Sequence, residues 1–262
     1  MLALITGGGS GIGLEIARIL YESYDLILVG RNVNRLEDGR ASILDSYQSK
    51  ARKNTIGTIS CDVSKPGDCQ KLYDKLQNRE IDVLINAAGF GTIGNFLETD
   101  LSKEVAETET NCIGLMCMMK LFLPDMLKRR SGSILNVASS AGYMPGSPGM
   151  AVYYGTKAYA LSLTRSIATE YSCKKKGVYI GALCPGPVLT DFSTKAGGQV
   201  KKGLGAITAE QCAREALRGM ARKKKVIIPG ALMKLSYPFT KILPGNLLLY
   251  FARKHQEKKT KL

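Results

Sequence analysis

The tightest constraint on this chain lies in its first thirteen residues, where the apolar run LALIT (2–6) leads directly into GGGSGIG (7–13). So short an apolar run, bounded by a turn signal, reads as a buried strand. The glycines that follow permit positive φ in a tight turn and let the backbone approach a ligand closely. A helix-period pattern then begins at Gly11, and the first N–H groups of a helix have no intrahelical partner and attract negative charge. Strand, glycine turn (Thr6, Gly7, Gly11, Gly13) and helix in this order form the arrangement that cradles a dinucleotide pyrophosphate, provided a second strand follows at the right distance.

It does. Apolar, β-rich runs recur at 25–30, 55–62, 81–86, 133–138, 178–184 and 226–229, alternating with helix-period segments at 11–21, 33–53, 67–77, 105–129, 151–172 and 209–222. Most of the runs are continuously apolar, as strands covered on both faces are. The alternation predicts an α/β fold: one doubly wound, Rossmann-type parallel sheet of about seven strands with helices on both faces. No linker interrupts the chain before residue 190, and 262 residues suit a single domain spanning 1–262. Residues 190–208, rich in glycine and polar side chains with Phe192, Leu204 and Ile207 among them, read as a substrate lid. Residues 231–262 read as a basic C-terminal extension holding a short amphipathic helix that closes the core.

Several classes of function are excluded by what the chain lacks. One histidine, His255, rules out Ser-His-Asp triads and multi-histidine metal sites. Seven cysteines without a CxxC pair offer neither a zinc site nor a disulfide framework, so reduced thiols, a cytoplasmic location and no metal are expected. No basic segment or cleavage site precedes the first glycines, and no apolar run approaches the ~18 residues that span a bilayer. The net charge of +15 is lopsided: residues 1–171 carry 18 basic and 18 acidic residues, whereas 172–262 carry 19 and 4. Without an aromatic-rich recognition motif, nucleic acid is not expected as the partner; a weak contact with an anionic membrane surface through the basic tail is the alternative such asymmetry raises.

Chemistry-bearing residues cluster in four places. The second strand ends in Gly30-Arg31 with no carboxylate until Glu37. An acidic residue there would grip a ribose 2′-hydroxyl, while arginine pairs with a 2′-phosphate, so NADP(H) is the preferred cofactor and NAD(H) the alternative. Tyr153 and Lys157 stand four apart in a helical pattern, on one face. At ~5 Å and an effective dielectric near 20, the lysine is worth roughly 3 kcal/mol to a phenolate, enough to lower the tyrosine by about two pKa units. Tyr154 has only Ala158 at the equivalent spacing. Ser139 or Ser140 follows the fifth strand, at the carboxyl edge where such sheets bind ligands. Asn111 precedes an apolar helix, whose interior suits it poorly.

TGGGSGIG, the NAAG of Asn86–Gly89, Asn111, Ser139, YYGTK and PGPVLT (185–190) occur in the order and spacing of the short-chain dehydrogenase/reductase family, which the chain resembles from Met1 to about Thr190. The resemblance implies that Tyr153 exchanges a proton with the substrate oxygen, and that Lys157 lowers its pKa and holds the nicotinamide ribose. It further implies that a serine holds the substrate oxygen and Asn111 organises a relay water. Ser139 lies three residues after Asn136, as the family expects, but 14 before Tyr153, whereas Ser140 lies at the commoner 13. Ser139 is preferred, with one extra residue taken up in the loop 143–149. The cofactor contacts implied are Thr6, Gly7, Gly9, Ser10, Gly11, Ile12, Gly13, Arg31, Asp62, Val63, Asn86, Ala87, Gly89, Tyr153, Lys157, Pro185, Gly186, Val188 and Thr190.

The expected function is hydride transfer between a nicotinamide and a carbonyl or secondary alcohol, in a homodimer or homotetramer of the kind common in the family. A non-catalytic nucleotide-binding scaffold and a membrane-surface reductase of lipophilic ketones are the competing readings. Arg31→Asp is expected to move the ratio of NADPH to NADH affinity towards NADH; tighter binding of NADH by the unaltered chain would remove the basis for the preference.

Overall fold

The computed structural model describes residues 1–48, 54–171, 177–190, 192, 196 and 205–260. Its strands are β1 (Leu2–Thr6), β2 (Asp25–Gly30), β3 (Ile56–Ser60), β4 (Val83–Asn86), β5 (Gly132–Val137), β6 (Val178–Leu183), β7 (Val188–Leu189), β8 (Ile207–Thr208) and β9 (Val226–Ile227). The helices are α1 (Gly11–Leu20), α2 (Val33–Asp45), α3 (Pro66–Leu76), α4 (Leu101–Thr108), α5 (Leu115–Lys128), α6 (Ala151–Tyr171), α7 (Ala209–Ala221), α8 (Ala231–Ser236), α9 (Phe239–Ile242) and α10 (Gly245–Thr260).

Seven strands form one sheet in the order β3-β2-β1-β4-β5-β6-β9, every pair parallel. The order reverses between β1 and β4, and a crevice opens at such a switch point beyond the carboxyl ends of the strands. Alternation along each strand divides the core. Leu2, Leu4, Ile27, Val29, Leu84, Ile134 and Ile180 face one layer, with Met118, Phe122 and Leu161 from the helices. Ala3, Ile5, Leu26, Leu28, Ile85 and Leu135 face the other, with Ile16, Leu36 and Ala213. Burial of each larger side chain contributes roughly 1.5–3 kcal/mol, and a one-residue slip of any strand would exchange its two faces.

Three features depart from the sequence expectation. The segment read as one helix over 105–129 is α4, a π-helical turn (Glu109–Gly114) and α5 in succession. The extra residue of a π turn leaves no mark in hydrophobic periodicity, and such turns recur at functional sites. The C-terminal extension holds three helices, α8 to α10, where one short helix was expected. At the end of the expected lid, Ile207 and Thr208 pair with Val188 and Leu189, which precede it, as a separate two-stranded ribbon; Leu204 and most of 191–204 lie outside the described residues.

Candidate active site

At the carboxyl edge of the sheet lies a cleft of about 800 Å³, within the range of cofactor and ligand pockets. Gly7, Ser10, Gly11, Ile12, Gly13, Ala87, Gly89, Ser139, Tyr153, Lys157, Pro185, Gly186, Val188 and Thr190 all line it. Gly7 and Gly11 take φ of 67° and 57°, and a Cβ on Gly7 would lie 2.8 Å from the Ala87 carbonyl. The turn therefore requires glycine. Ser10 at the N-cap of α1 makes no side-chain capping bond, and the first turn carries no acidic residue. The helix thus presents uncapped N–H groups, the donor set that an anionic pyrophosphate fits.

Other expected residues support the cleft from outside its lining. The Thr6 hydroxyl accepts from the Ala87 and Ala88 N–H groups, both at 3.2 Å, and so ties β1 to the loop after β4. A Cβ on Gly9 would meet the Arg35 carbonyl at 2.8 Å, so Gly9 serves the packing of the turn on α2. Asn86 donates to Asn136 at 2.8 Å across β4 and β5, and Asn136 donates to Thr164 at 2.8 Å, pinning α6 to the sheet. Val63 is buried, its carbonyl packed beside Gly114 of the π turn.

Arg31 and Asp62 meet at the ends of β2 and β3. Asn32 caps α2 by accepting from the Arg35 N–H at 3.0 Å, which holds Arg31 in the turn. Asp62 accepts from the Ser64 N–H and hydroxyl through Oδ1, while Oδ2 lies 3.9 Å from the Arg31 guanidinium. The Arg31 side chain is 59% exposed, so the pair is weak and the guanidinium is accessible to a second anion.

The side chains expected to carry the chemistry lie on or beside α6. Tyr153 and Lys157 lie one turn apart, and the Lys157 Nζ is 5.8 Å from the Tyr153 ring centroid. The ammonium donates to the Val137 carbonyl at 3.0 Å, at the end of β5. Ser139 starts a short 3₁₀ turn (Ser140–Tyr143) and accepts from the Ala141 N–H at 3.1 Å, and its side chain favours the ionised form of the Tyr153 phenol. Ser140 is held instead by its backbone N–H, which donates to the Pro185 carbonyl at 2.7 Å. Asn111 sits in the π turn, accepts from the Phe90 N–H at 3.1 Å, and donates to the Phe90 carbonyl at 2.8 Å and to Thr156 at 3.0 Å. Both ends of its side chain are satisfied, which removes the cost of an amide inside a helix.

The electrostatics differ from the expected lowering of Tyr153. Burial pushes the phenol up to about 12, against the opposing hydrogen bond from Ser139. Burial also brings the Lys157 ammonium down to about 8. Withdrawal from water is the largest influence on both groups, because desolvation penalises each charged form separately. Cys184 and Cys112, which border the pair, are raised by burial, Cys184 to about 12, so neither is a ready nucleophile.

Sequence reasoning missed part of the wall. Tyr154, Ser147 and Phe90 line the cleft, and so do Leu248, Phe251 and Ala252 from α10. The apolar triple at 247–249 was the one available signal, and nothing in it said which surface α10 would cover.

Known proteins share this architecture. The family described as short chain dehydrogenase matches residues 1–201. The oxidoreductase UcpA of Salmonella typhimurium is 32% identical over 194 residues, 73% of this chain and 70% of that protein. Dehydrogenase/reductase SDR family member 7B of Danio rerio is 30% identical over 247 residues, 88% of this chain and 77% of that protein. Among solved structures, a short-chain dehydrogenase from Sphingobium yanoikuyae in complex with NADPH superimposes with a TM-score of 0.78 at 28% identity, covering 87% of this chain and 86% of that one.

The shift of Lys157 carries a stability consequence. Below pH 8 the residue is protonated folded and unfolded, and burying the ammonium costs on the order of 3 kcal/mol relative to its neutral form. That cost disappears as pH rises from about 8 to 10.5. Lys157→Met is therefore expected to hold or raise the Tm at pH 7 and to lose the advantage above pH 10, while turnover collapses. Thermal melts at both pH values check this; a Tm several degrees lower at pH 7 would contradict it.

Proposed function

The chain belongs to the short-chain dehydrogenase family and is an oxidoreductase, and on that premise we propose that it is an NADP(H)-preferring enzyme interconverting a carbonyl and a secondary alcohol with Tyr153 as general acid–base. The observation that carries the reading is the convergence of Tyr153, Ser139 and Lys157 on one cleft with the uncapped N-terminus of α1. Gly7, the α1 N-terminus and the 185–190 segment would hold the dinucleotide, which when bound supplies or accepts the hydride. Tyr153 gives its proton to the carbonyl oxygen in reduction and takes it from the alcohol in oxidation. Ser139 donates a hydrogen bond to the same oxygen. Lys157 and Asn111 orient the pair from behind, and Phe90, Phe192, Met144 and Leu248 close an apolar wall that excludes water.

The NADP(H) preference is supported by Arg31, exposed and only loosely paired with Asp62, and by the NADPH named with the Sphingobium relative. A homodimer or homotetramer in the cytoplasm is part of the reading: Leu101 and Val105 of α4 and Tyr159 of α6 are exposed apolar residues that a second copy would cover.

One observation favours adding a membrane surface. Among the described residues no helix is long and apolar enough to cross a bilayer. Yet Leu235, Phe239, Ile242, Tyr250 and Phe251 of α8 to α10 are each half or more exposed, with Lys234, Lys241 and Lys254 among them. Such a mixture suits the interface of anionic lipid, and α10 also walls the cleft, a route for lipophilic ketones.

An NADPH-oxidation screen over ketones, aldehydes, steroids and ketoacyl thioesters tests the activity. Tyr153→Phe is expected to lower the rate about a hundredfold or more; full turnover in that variant would refute the assignment. Binding to phosphatidylserine vesicles is expected to weaken with salt and to be lost in Phe239→Ser/Ile242→Ser. Equal binding to neutral vesicles would exclude the electrostatic contact.

A further inference from the structure

Glu107 lies on α4 one turn before Asn111 and is wholly buried. Neither carboxylate oxygen has a hydrogen-bond partner of good geometry among the described residues, and the buried Thr92 hydroxyl has none either. The Thr92 hydroxyl and backbone N–H favour the charged carboxylate, but burial dominates and raises Glu107 above the ordinary carboxyl range. An isolated carboxylate in such a place is strongly disfavoured. On a surface helix with Glu104 and Glu109 to either side, nothing obliges an acidic residue to face inwards.

Inward of α4 lies α6, the helix that carries Tyr153 and Lys157. Helix α4 packs against α6, and the positive charge of Lys157 acts to lower Glu107, the reciprocal of Glu107 raising Lys157. The carboxylate also opposes ionisation of Tyr153. We propose, on the reading that Tyr153 is the acid–base, that Glu107 is a positioning residue for this pair: buried and without a hydrogen-bond partner on the helix packed against α6, its carboxylate serves from outside the cleft lining as the counter-charge of the Lys157 ammonium. The groups facing Glu107 divide by sign. Lys157 on α6 supports its charge, Glu104 on α4 opposes it, and the Tyr153 phenol and the Cys112 thiol are neutral groups whose ionisation it hinders.

The test is the pH dependence of kcat/KM for reduction, read in Glu107→Gln, which keeps the shape and removes the charge. The alkaline limb, where Lys157 loses its proton near pH 8, is expected to move about one unit lower, with the Tm equal or higher. Glu107→Asp is expected to restore most of the shift. A purely structural role would change the Tm and the height of the profile and leave the limb in place. Should the glutamine chain fail to fold, Thr92→Val keeps the carboxyl but withdraws a hydroxyl favouring its charge, and must move the limb in the same direction. A limb that stays put in a folded variant overturns the proposal. Tyr153→Phe in parallel separates the two claims: if it stays fully active the acid–base reading has failed, whereas an inactive Tyr153→Phe beside an unmoved limb sinks only the role of Glu107.

Discussion

A sheet whose strands all run in parallel must deliver every strand end to the same edge, and each chain segment leaving that edge must turn there before its crossover helix. In this protein the glycine turn after β1, the Asn86–Gly89 loop after β4, the serines after β5 and the 185–190 segment after β6 are consequently neighbours, although up to some 180 residues separate them. The switch in strand order between β1 and β4 parts the crossovers to either face and leaves room for the cleft. Asn86, Asn136 and Thr164 then fix α6 against the sheet, and with it Tyr153 and Lys157.

Burial is the largest influence on the ionisable groups of that cleft. The lysine and phenol are each withdrawn from water, and each is driven towards its neutral form. The Val137 carbonyl, the Ser139 hydroxyl and the buried Glu107 act on this balance from separate elements: a strand end, a 3₁₀ turn and a helix. Catalytic groups are commonly tuned by such competing environments, because an acid or base works best when its pKa is set by surroundings that do not reorganise.

Much of the architecture was legible because it is encoded locally. The runs at 2–6 and 25–30 coincide with β1 and β2, and every other sheet strand lies within two residues of its expected bounds at either end. The helix at 33–53 ends at Asp45, and the rest of that expectation falls partly outside the described residues. The π turn around Asn111, the two-residue strands β7 and β8, and the three C-terminal helices were not legible. The turn, the two strands and the short helices α8 and α9 are too brief or too irregular to impose a period, and the sixteen-residue α10 gathers its apolar residues in one block at 247–252 rather than at helical spacing.

Sequence alone determined the glycine turn after the first strand, where Gly7 and Gly11 take positive φ, the four-residue spacing of Tyr153 and Lys157 on one helical face, and the alternation that demands a parallel sheet. All are consequences of backbone geometry within a few residues. Tertiary structure alone decided which serine faces the phenol, that α10 walls the cleft, that Thr6 and Asn86 brace the site from outside it, and that the acidic stretch at 104–109 turns one carboxylate inwards. It also decided the direction in which Tyr153 and Lys157 are shifted. Desolvation depends on everything packed around a group, and residues distant in the chain supply most of that surrounding, so no local pattern can report it.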